Sequence, residues 1–243
     1  MSDAPVTVRI VGRGRAGGSM AVALASAGWG VQQVSGHSEN LAAAARGVDA
    51  VVLAVPDGAI EAVARRIEPT DAVVIHLAGS WGLNVLGGHA RRAAVHPLVA
   101  LPDAEIGARR LRGAWFAVAG DDMADAIVDA LDGRSFVVSD EDRAVYHAAA
   151  VVASNHLVAL MGQVERIGAT VGVPRSAMID LARGSLENVA AIGAAAALTG
   201  PVARGDEDTV QRHRLALPTD EVALYDALAD AARRLVEERD RAS

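Results

Sequence analysis

The sequence predicts an α/β fold, in which a doubly wound parallel sheet is followed by an all-α C-terminal domain. Two observations support this prediction. Up to about residue 138, short β-rich runs alternate with helical segments, and such alternation with short loops is typical of parallel strands joined by helices. Beyond Ser139 no strand pattern follows. We therefore expect domains at residues 1–138 and 139–243.

The strands of the first domain are predicted from short apolar runs. The clearest is Asp49–Val55, which is apolar after its first residue, as is typical of a strand buried on both faces. The other predicted strands are Val6–Val11, Val31–Ser35, Ala72–Leu77, Ala93–His96, Trp115–Ala119 and Ser135–Val138. The clearest helices between them are Ser19–Ala27 and Ile60–Ile67.

The second domain is predicted to contain helices alone. Ser139 and the acidic residues after it suit the N-terminus of a long helix that ends at about Thr170. Pro174 begins another helix, where its missing N–H costs little. Thr219–Arg239 forms a third, amphipathic helix, and residues 199–208 form the clearest loop.

The composition excludes several functional classes. The 243 residues include no Cys and no Lys, which excludes thiolate chemistry, disulfides, Schiff-base lysines and a lysine general acid. The formal charge of −7 argues against a nucleic-acid partner. The N-terminus has no signal-peptide pattern, and the apolar stretch Ala144–Met161 is interrupted by His147, Asn155 and His156. We therefore expect a cytoplasmic protein that does not span a membrane.

A glycine-rich turn follows the first predicted strand. Residues 12–17, GRGRAG, match the pattern G-x-G-x-x-G between a β-run and an Ala-rich helix. In a Rossmann-type sheet the first glycine permits the tight turn, the second the approach of a pyrophosphate, and the third close packing of the helix. The helix N–H groups then face the phosphates. An ordinary glycine turn is the alternative, but the context favours dinucleotide binding. The predicted contacts are Gly12, Arg13, Gly14, Arg15, Ala16 and Gly17.

The residues after the second strand indicate which dinucleotide binds. NAD sites usually place Asp or Glu there to bind the ribose hydroxyls. This chain has SGHS at residues 35–38, and Glu39 comes later. Hydroxyls, an imidazole and the two arginines of the glycine-rich turn would accept a 2′-phosphate, which favours NADP over NAD. Both serines could also cap the next helix. The residues predicted to bind this end of NADP are Ser35, His37 and Ser38.

Further segments resemble those of a known family. They are DAVVLAVPDGAI, HLAGSWG, VHPLVAL, YHAAAVVASNHLVAL and TGPVARGDEDTVQRH. Over about residues 6–235 their order and spacing resemble Rossmann-like proteins whose C-terminal half is a domain of unknown function. Those proteins are relatives of ketopantoate reductase, pyrroline-5-carboxylate reductase and deazaflavin-linked NADP oxidoreductases. The resemblance implies an NADP-dependent oxidoreductase with a helical domain like the C-terminal domain of 6-phosphogluconate dehydrogenase. It also implies a homodimer formed through that domain.

The sequence departs from these relatives at one catalytic position. Ketopantoate reductases place a Lys four residues before an Asn on the first helix of the second domain. Here Asn155 could be that Asn, but the residue four before it is Val151. A carbonyl reduction therefore needs another proton donor, whereas imine reduction of the pyrroline-5-carboxylate kind needs no lysine.

His96 is the first candidate for the missing catalytic group, because imidazole titrates near neutral pH. It follows the fifth predicted strand, at the edge where ligands bind in open α/β sheets. A similar His-Pro pair in prephenate dehydrogenases implies a polarising or acid role. Asn155 and His147 share a helix face if the helix is regular, and Asn155 could bind the nicotinamide carboxamide or the substrate carbonyl. Each could instead be a structural polar contact.

Arg204 is suited to bind a substrate carboxylate. Alternatively, Asp206 only caps the next helix and Arg204 is its ion-pair partner. The predicted catalytic residues are His96, Asn155, His147 and Arg204. The remaining residues predicted to line the cofactor are Val55, Pro56, Asp57, Gly79 and Ser80, of which Asp57 should also cap a helix. No residue spacing indicates a metal site.

Three functional hypotheses follow from these residues. The first is an NADP-dependent reductase of a small carboxylate-bearing 2-oxo acid similar to ketopantoate. The second is a reductase of a cyclic imine similar to pyrroline carboxylate. The third is a non-catalytic protein that binds NADP(H).

Overall fold

The structure, a computed structural model, describes residues 4–36 and 39–242. The chain divides into two compact units, Met1–Ser154 and Asn155–Ser243. The domain junction predicted near residue 139, where the strands end, stays a prediction, and the helix that follows it lies with the first unit.

The first unit contains a seven-stranded sheet, which confirms the predicted α/β fold. Its strands are β1 (Thr7–Val11), β2 (Gly30–Val34), β3 (Ala50–Leu53), β4 (Val73–His76), β5 (Arg92–Pro97), β6 (Trp115–Gly120) and β7 (Arg134–Val137). Their order across the sheet is β2-β1-β3-β4-β5-β6-β7. The chain reverses its direction across the sheet between β1 and β3, and ligands of open α/β sheets bind at such a switch point.

The sheet is parallel except where β5 meets β6, and this pair is antiparallel. Phe116 of β6 pairs with Pro97 of β5, so β6 begins beside the end of β5. The connection between the two strands therefore does not have to cross the length of the sheet. The remaining neighbours, including β6 and β7, are parallel.

Helices cover both faces of the sheet. They are α1 (Arg15–Ser26), α2 (Ile60–Ala64), α3 (Ala104–Leu111), α4 (Met123–Ala130) and α5 (Arg143–Val151). Every residue of β3 and β4 is buried, as predicted for strands between two helical layers. Val52 belongs to the apolar cluster that includes α1 and α3, whereas Val51 belongs to the cluster that includes α2. The two clusters form one core on each face of the sheet.

The second unit is helical within the described residues, as predicted. Its helices are α6 (Leu157–Thr170), α7 (Arg175–Ile192), α8 (Ala194–Ala197), α9 (Glu207–Ala216) and α10 (Thr219–Ala242). Pro174 occupies the position directly before α7. The predicted loop at residues 199–208 contains a short 3-10 turn, Val202–Arg204, and reaches the start of α9.

The long helix predicted from Ser139 to Thr170 is not one regular α-helix. Residues Val152–His156 form a π-helical turn between α5 and α6. The Ser154 hydroxyl donates a hydrogen bond of 2.7 Å to the Ala150 carbonyl, and such bonds to the preceding turn disturb the helix backbone. The regular spacing that would place His147 and Asn155 on one face therefore does not hold through this turn.

This interrupted helix is long and apolar enough to cross a membrane by length and composition. It spans Arg143–Thr170, and its most apolar window has a mean hydropathy of 1.4. One such helix is weak evidence for a membrane span. By length and composition alone, the polar residues that interrupt Ala144–Met161 therefore do not exclude a span, and the expectation that the protein does not cross a membrane stays a prediction.

Candidate active site

The glycine-rich turn packs directly against the chain that leaves β3. Gly12 has a φ of +122°, and a Cβ built on it would lie 2.2 Å from the Ala54 carbonyl oxygen. A Cβ on Gly17 would lie 2.4 Å from the carbonyl oxygen of Gly12. A side chain at either position would overlap backbone atoms, so the close approach of β1, β3 and α1 requires glycine at both.

Gly14 has the opposite environment. It is the N-cap residue of α1, its side chain position faces open space with no atom within 4 Å, and no side chain caps the helix. Arg13 and Arg15 on either side are exposed. The first N–H groups of α1 are thus presented at an open surface beside two cations. The arrangement suits a bound phosphate, because helix N-termini attract anions.

The end of β2 lies beside this turn. Gln33 donates a hydrogen bond of 2.9 Å through Nε2 to the carbonyl of Gly12. A Cβ on Gly36 would lie 3.0 Å from Cγ1 of Val55, so Val55 packs next to the chain that leaves β2. Ser35 is partly buried, while the predicted contacts His37 and Ser38 lie outside the described residues.

The prediction that Asp57 caps a helix is wrong. The chain enters α2 through a 3-10 turn, Asp57–Ala59. Pro56 occupies the cap position before this turn, and Asp57 is the first residue within it. The Ala59 N–H donates a hydrogen bond of 2.8 Å to the Pro56 carbonyl. Asp57 and Pro56 are exposed at the end of β3.

A cluster of ring side chains lies at the carboxyl end of β4 and β5. His96 Nδ1 and the Tyr146 hydroxyl share a hydrogen bond of 2.6 Å. The His96 ring also lies edge-on to the His147 ring, with their centroids 5.6 Å apart. A Cβ on Gly79 would lie 2.5 Å from His147 and 3.0 Å from His96, so only glycine fits beneath them. Ser80, the next residue, is partly buried.

A buried cation lies in the same region. The Arg143 side chain has no exposed surface, and its three guanidinium nitrogens have no hydrogen-bond partner among the described residues. The carboxylate of Asp140 is 3.8 Å from its Nε and accepts a hydrogen bond of 2.9 Å from the Leu83 N–H. Burial lowers the pKa of Arg143, and Asp140 opposes this effect. Nε2 of the buried His76 also has no partner within the described chain.

Burial and Arg143 keep the two histidines of β4 and β5 neutral. Burial, followed by the charge of Arg143, lowers the pKa of His76 from 6.5 to about 4. For His96, burial, then His147 and then Arg143 lower the pKa to about 4. Burial raises the pKa of the Tyr146 hydroxyl, while Arg143 acts in the opposite direction. At neutral pH both imidazoles are therefore uncharged, and the phenol keeps its proton.

Two of the predicted catalytic residues belong to the second unit. Asn155 lies in the π-helical turn and is exposed within that unit. Arg204 is exposed in the 3-10 turn before α9. Asp206 caps α9 and accepts a hydrogen bond of 3.0 Å from the Thr209 N–H, as the structural alternative for this loop predicts.

Arg143 and Tyr146 belong to this cluster but were not predicted from the sequence. With His147 they occupy positions i, i+3 and i+4 of one helix, a spacing that places all three on one face. The pattern R-x-x-Y-H near the start of a predicted helix could have indicated this face. The pattern could not indicate that β5 places His96 against this helix face. Among the described residues, no three His, Asp or Glu side chains are grouped as metal ligands.

The fold and the glycine-rich turn define a Rossmann-like protein with a helical C-terminal region. Residues 116–232 match a family model described as a domain of unknown function, DUF2520. None of the curated proteins matches the sequence.

Solved structures of similar fold cover nearly the whole chain. The Thermotoga maritima protein TM1727 is 23% identical over 96% of this chain and 99% of its own, with a TM-score of 0.73. A proposed NADP oxidoreductase from Bacteroides fragilis is 19% identical over 95% and 98%, with a TM-score of 0.79. Pyrroline carboxylate reductase from Plasmodium falciparum, solved with NADP bound, is 14% identical over 95% and 98%, with a TM-score of 0.65. At these identities the similarity shows the fold.

Proposed function

We propose that the protein is an NADP-dependent oxidoreductase that reduces a small organic substrate. The observation that carries this proposal is the open N-terminus of α1 at Gly14, beside the switch point of the sheet. Two of the similar structures support it, one described as a proposed NADP oxidoreductase and the other as a reductase with NADP bound.

The surroundings of this helix end favour NADP over NAD. A 2′-phosphate needs positive charge and hydrogen-bond donors. The exposed guanidinium groups of Arg13 and Arg15 and the hydroxyl of Ser35 are the described groups of this kind near the turn. Among the described side chains that directly follow β2, Ser35 and Gly36, there is no carboxylate to bind ribose hydroxyls. His37 and Ser38 are proposed as further contacts.

Each part of the site has a defined task in this proposal. When bound, NADPH would supply the hydride. The α1 N–H groups at Gly14 would hold the pyrophosphate, and Val55, Gly79 and Ser80 would line the cofactor between the strand ends. His96 and His147 would lie beside the substrate at the carboxyl end of β5, where a ring N–H of His147 or the hydroxyl bonded to His96 can donate a hydrogen bond to a carbonyl oxygen or an imine nitrogen.

The substrate that we propose is a small carboxylate-bearing 2-oxo acid similar to ketopantoate. An exposed Arg such as Arg204 can bind a carboxylate with two parallel hydrogen bonds. Asn155 would add an amide contact to the substrate or to the nicotinamide. The alternative substrate is a cyclic imine, which is favoured by the lack of lysine in the chain and by the similarity to pyrroline carboxylate reductase.

The experiment is a substrate screen followed by NADPH absorbance, with NADH in parallel. The panel contains ketopantoate, other 2-oxo acids and pyrroline-5-carboxylate. We expect NADPH oxidation with a 2-oxo acid, while oxidation with the cyclic imine alone would establish the alternative. Binding of NADPH without turnover of any compound would refute the proposed reductase activity and favour the hypothesis of a non-catalytic NADP(H)-binding protein.

We also propose a cytoplasmic homodimer formed through the second unit. The second unit exposes several large apolar side chains, including Val158 (72%), Leu181 (67%) and Leu215 (77%). Exposed apolar surface of this kind commonly marks an interface. Sedimentation equilibrium should give twice the mass of the 24.9 kDa chain, and a monomer at micromolar concentration would refute the dimer.

A further inference from the structure

We propose that Tyr146 is the proton donor of the reduction, that His96 returns a proton to it, and that Arg143 is the buried cation that stabilises its phenolate. This inference rests on the proposed reductase function and assigns the acid that the absence of lysine leaves open.

The geometry joins Tyr146 and His96 into one unit. Their hydrogen bond of 2.6 Å is at the short end for such a bond, and the two rings meet edge-on with centroids 5.6 Å apart. The Phe136 ring contacts the other side of Tyr146, with centroids 5.6 Å apart. The phenol is therefore fixed between an aromatic side chain and an imidazole, at the carboxyl end of β5.

His96 is poorly suited to be the acid itself. Four groups face it from two elements: Tyr146, His147 and Arg143 on α5, and His76 on β4. Three of these groups are cationic or become so on protonation, and the fourth is a neutral phenol. An imidazolium at His96 would therefore be largely buried beside the Arg143 cation, so His96 acts in its neutral form.

Arg143 is positioned to favour the phenolate. It precedes Tyr146 by three residues on α5, so the two side chains are neighbours on one helix face. Its side chain is fully buried and its guanidinium has no hydrogen-bond partner among the described residues, while the carboxylate of Asp140 forms a long ion pair with it at 3.8 Å. A buried cation without a full set of hydrogen bonds is costly unless negative charge develops beside it. Loss of the Tyr146 proton creates that charge.

When bound, NADPH would supply a hydride to the carbonyl or imine carbon, and the electron pair of the double bond would move to oxygen or nitrogen. That atom takes the hydroxyl proton of Tyr146, which leaves a phenolate beside Arg143. The phenolate takes a proton from Nδ1 of His96, while Nε2 of the same ring takes one from solvent, so the reduction consumes one solvent proton. The imidazole is neutral before and after the transfer, and proton exchange with solvent returns it to the Nδ1–H tautomer.

The first test replaces the two tyrosines of the chain one at a time. Tyr225→Phe is a matched control, because Tyr225 also shares a hydrogen bond with a histidine, His213 Nδ1, at 2.9 Å in the second unit. A general acid contributes about 100-fold or more to the rate. We expect Tyr146→Phe to lower kcat by about that factor with the Kd for NADPH unchanged, and Tyr225→Phe to leave kcat unchanged. A Tyr146→Phe enzyme within about tenfold of wild-type kcat would overturn the assignment.

The second test measures the electrostatic role of Arg143 without turnover. NMR titration of the histidine ring protons should place the pKa of His96 near 4 in the wild-type protein. Arg143→Met should raise that pKa, because the buried cation is gone, while Arg134→Met on β7 should not. An unchanged His96 pKa in a folded Arg143→Met variant would overturn the role of Arg143. If that variant does not fold, Arg143→Lys provides the comparison, since it keeps the charge and should keep the low pKa.

The two proposals fail in different ways. A wild-type protein that binds NADPH but turns over no carbonyl or imine compound refutes the reductase, and the proton donor with it. A wild-type protein that turns over substrate while Tyr146→Phe does so equally well refutes only the proton donor.

Discussion

Replacing Gly12 by alanine should destabilise the first unit strongly, and more than the same substitution at Gly28. The new Cβ would lie 2.2 Å from the Ala54 carbonyl oxygen, and φ is +122°. Strained backbone costs about 1–3 kcal/mol and overpacking about 1–3 kcal/mol, so we expect roughly 4 kcal/mol in the free energy of unfolding. For a chain of this size, that corresponds to a fall in Tm of about 10 °C.

Gly28→Ala is the matched control. Gly28 also has a positive φ, +88°, but no atom lies within 4 Å of its Cβ position. Its substitution should cost only the backbone strain, about 1–2 kcal/mol. Thermal and urea unfolding, followed by circular dichroism, measure both variants. If Gly12→Ala is no less stable than Gly28→Ala, the close approach of the glycine-rich turn to β3 is wrong.

The remaining predictions concern acid stability and a helix cap. The pKa values of His76 and His96 are about 4 in the folded protein, against the ordinary value of 6.5. As the pH falls, these two histidines are therefore protonated in the unfolded chain before they are protonated in the folded protein. Their contribution to stability is therefore complete above about pH 6.5 and is lost as the pH falls towards 4, by at most roughly 3 kcal/mol for each group. Urea unfolding at several pH values should show that the free energy of unfolding falls with decreasing pH. The fall should be less steep in His76→Gln than in the wild-type protein, and equal steepness would contradict the prediction. Asp103→Ala removes the N-cap bond of 2.8 Å to the Ile106 N–H, so it should cost about 1 kcal/mol in urea unfolding, whereas an unchanged midpoint would show that the cap contributes nothing.

Much of the fold could be predicted because the pattern of apolar residues is local. The run at residues 49–55 predicts a doubly buried strand, and every residue of β3 is buried. The glycines of the turn could also be predicted, because the backbone path of a Rossmann-type turn gives each of them a separate steric role. The antiparallel entry of β6 could not be predicted, since it depends on where the chain after α3 meets β5.

The catalytic cluster was only partly predictable, because it depends on contacts between distant residues. His96 and Gly79 were identified from their positions after strands. The pairing of His96 with Tyr146, 50 residues away, has no local signal. The π-helical turn at Val152–His156 likewise changes which residues of the long helix share a face, and a regular helical spacing cannot show it.

Whether the N-terminus of α1 binds the dinucleotide can be measured by a calorimetric titration of NADPH and NADH into the wild-type protein and a Gly14→Val variant. The open space at Gly14 can accept a side chain without overlap, so the variant should fold with its Tm nearly unchanged and fill the proposed phosphate position. We predict that the wild-type protein binds NADPH about tenfold or more tightly than NADH, because charge-assisted bonds hold the 2′-phosphate, and that Gly14→Val loses this binding. A wild-type protein that binds neither nucleotide, or a folded Gly14→Val variant that binds NADPH as tightly as the wild type, would contradict the account.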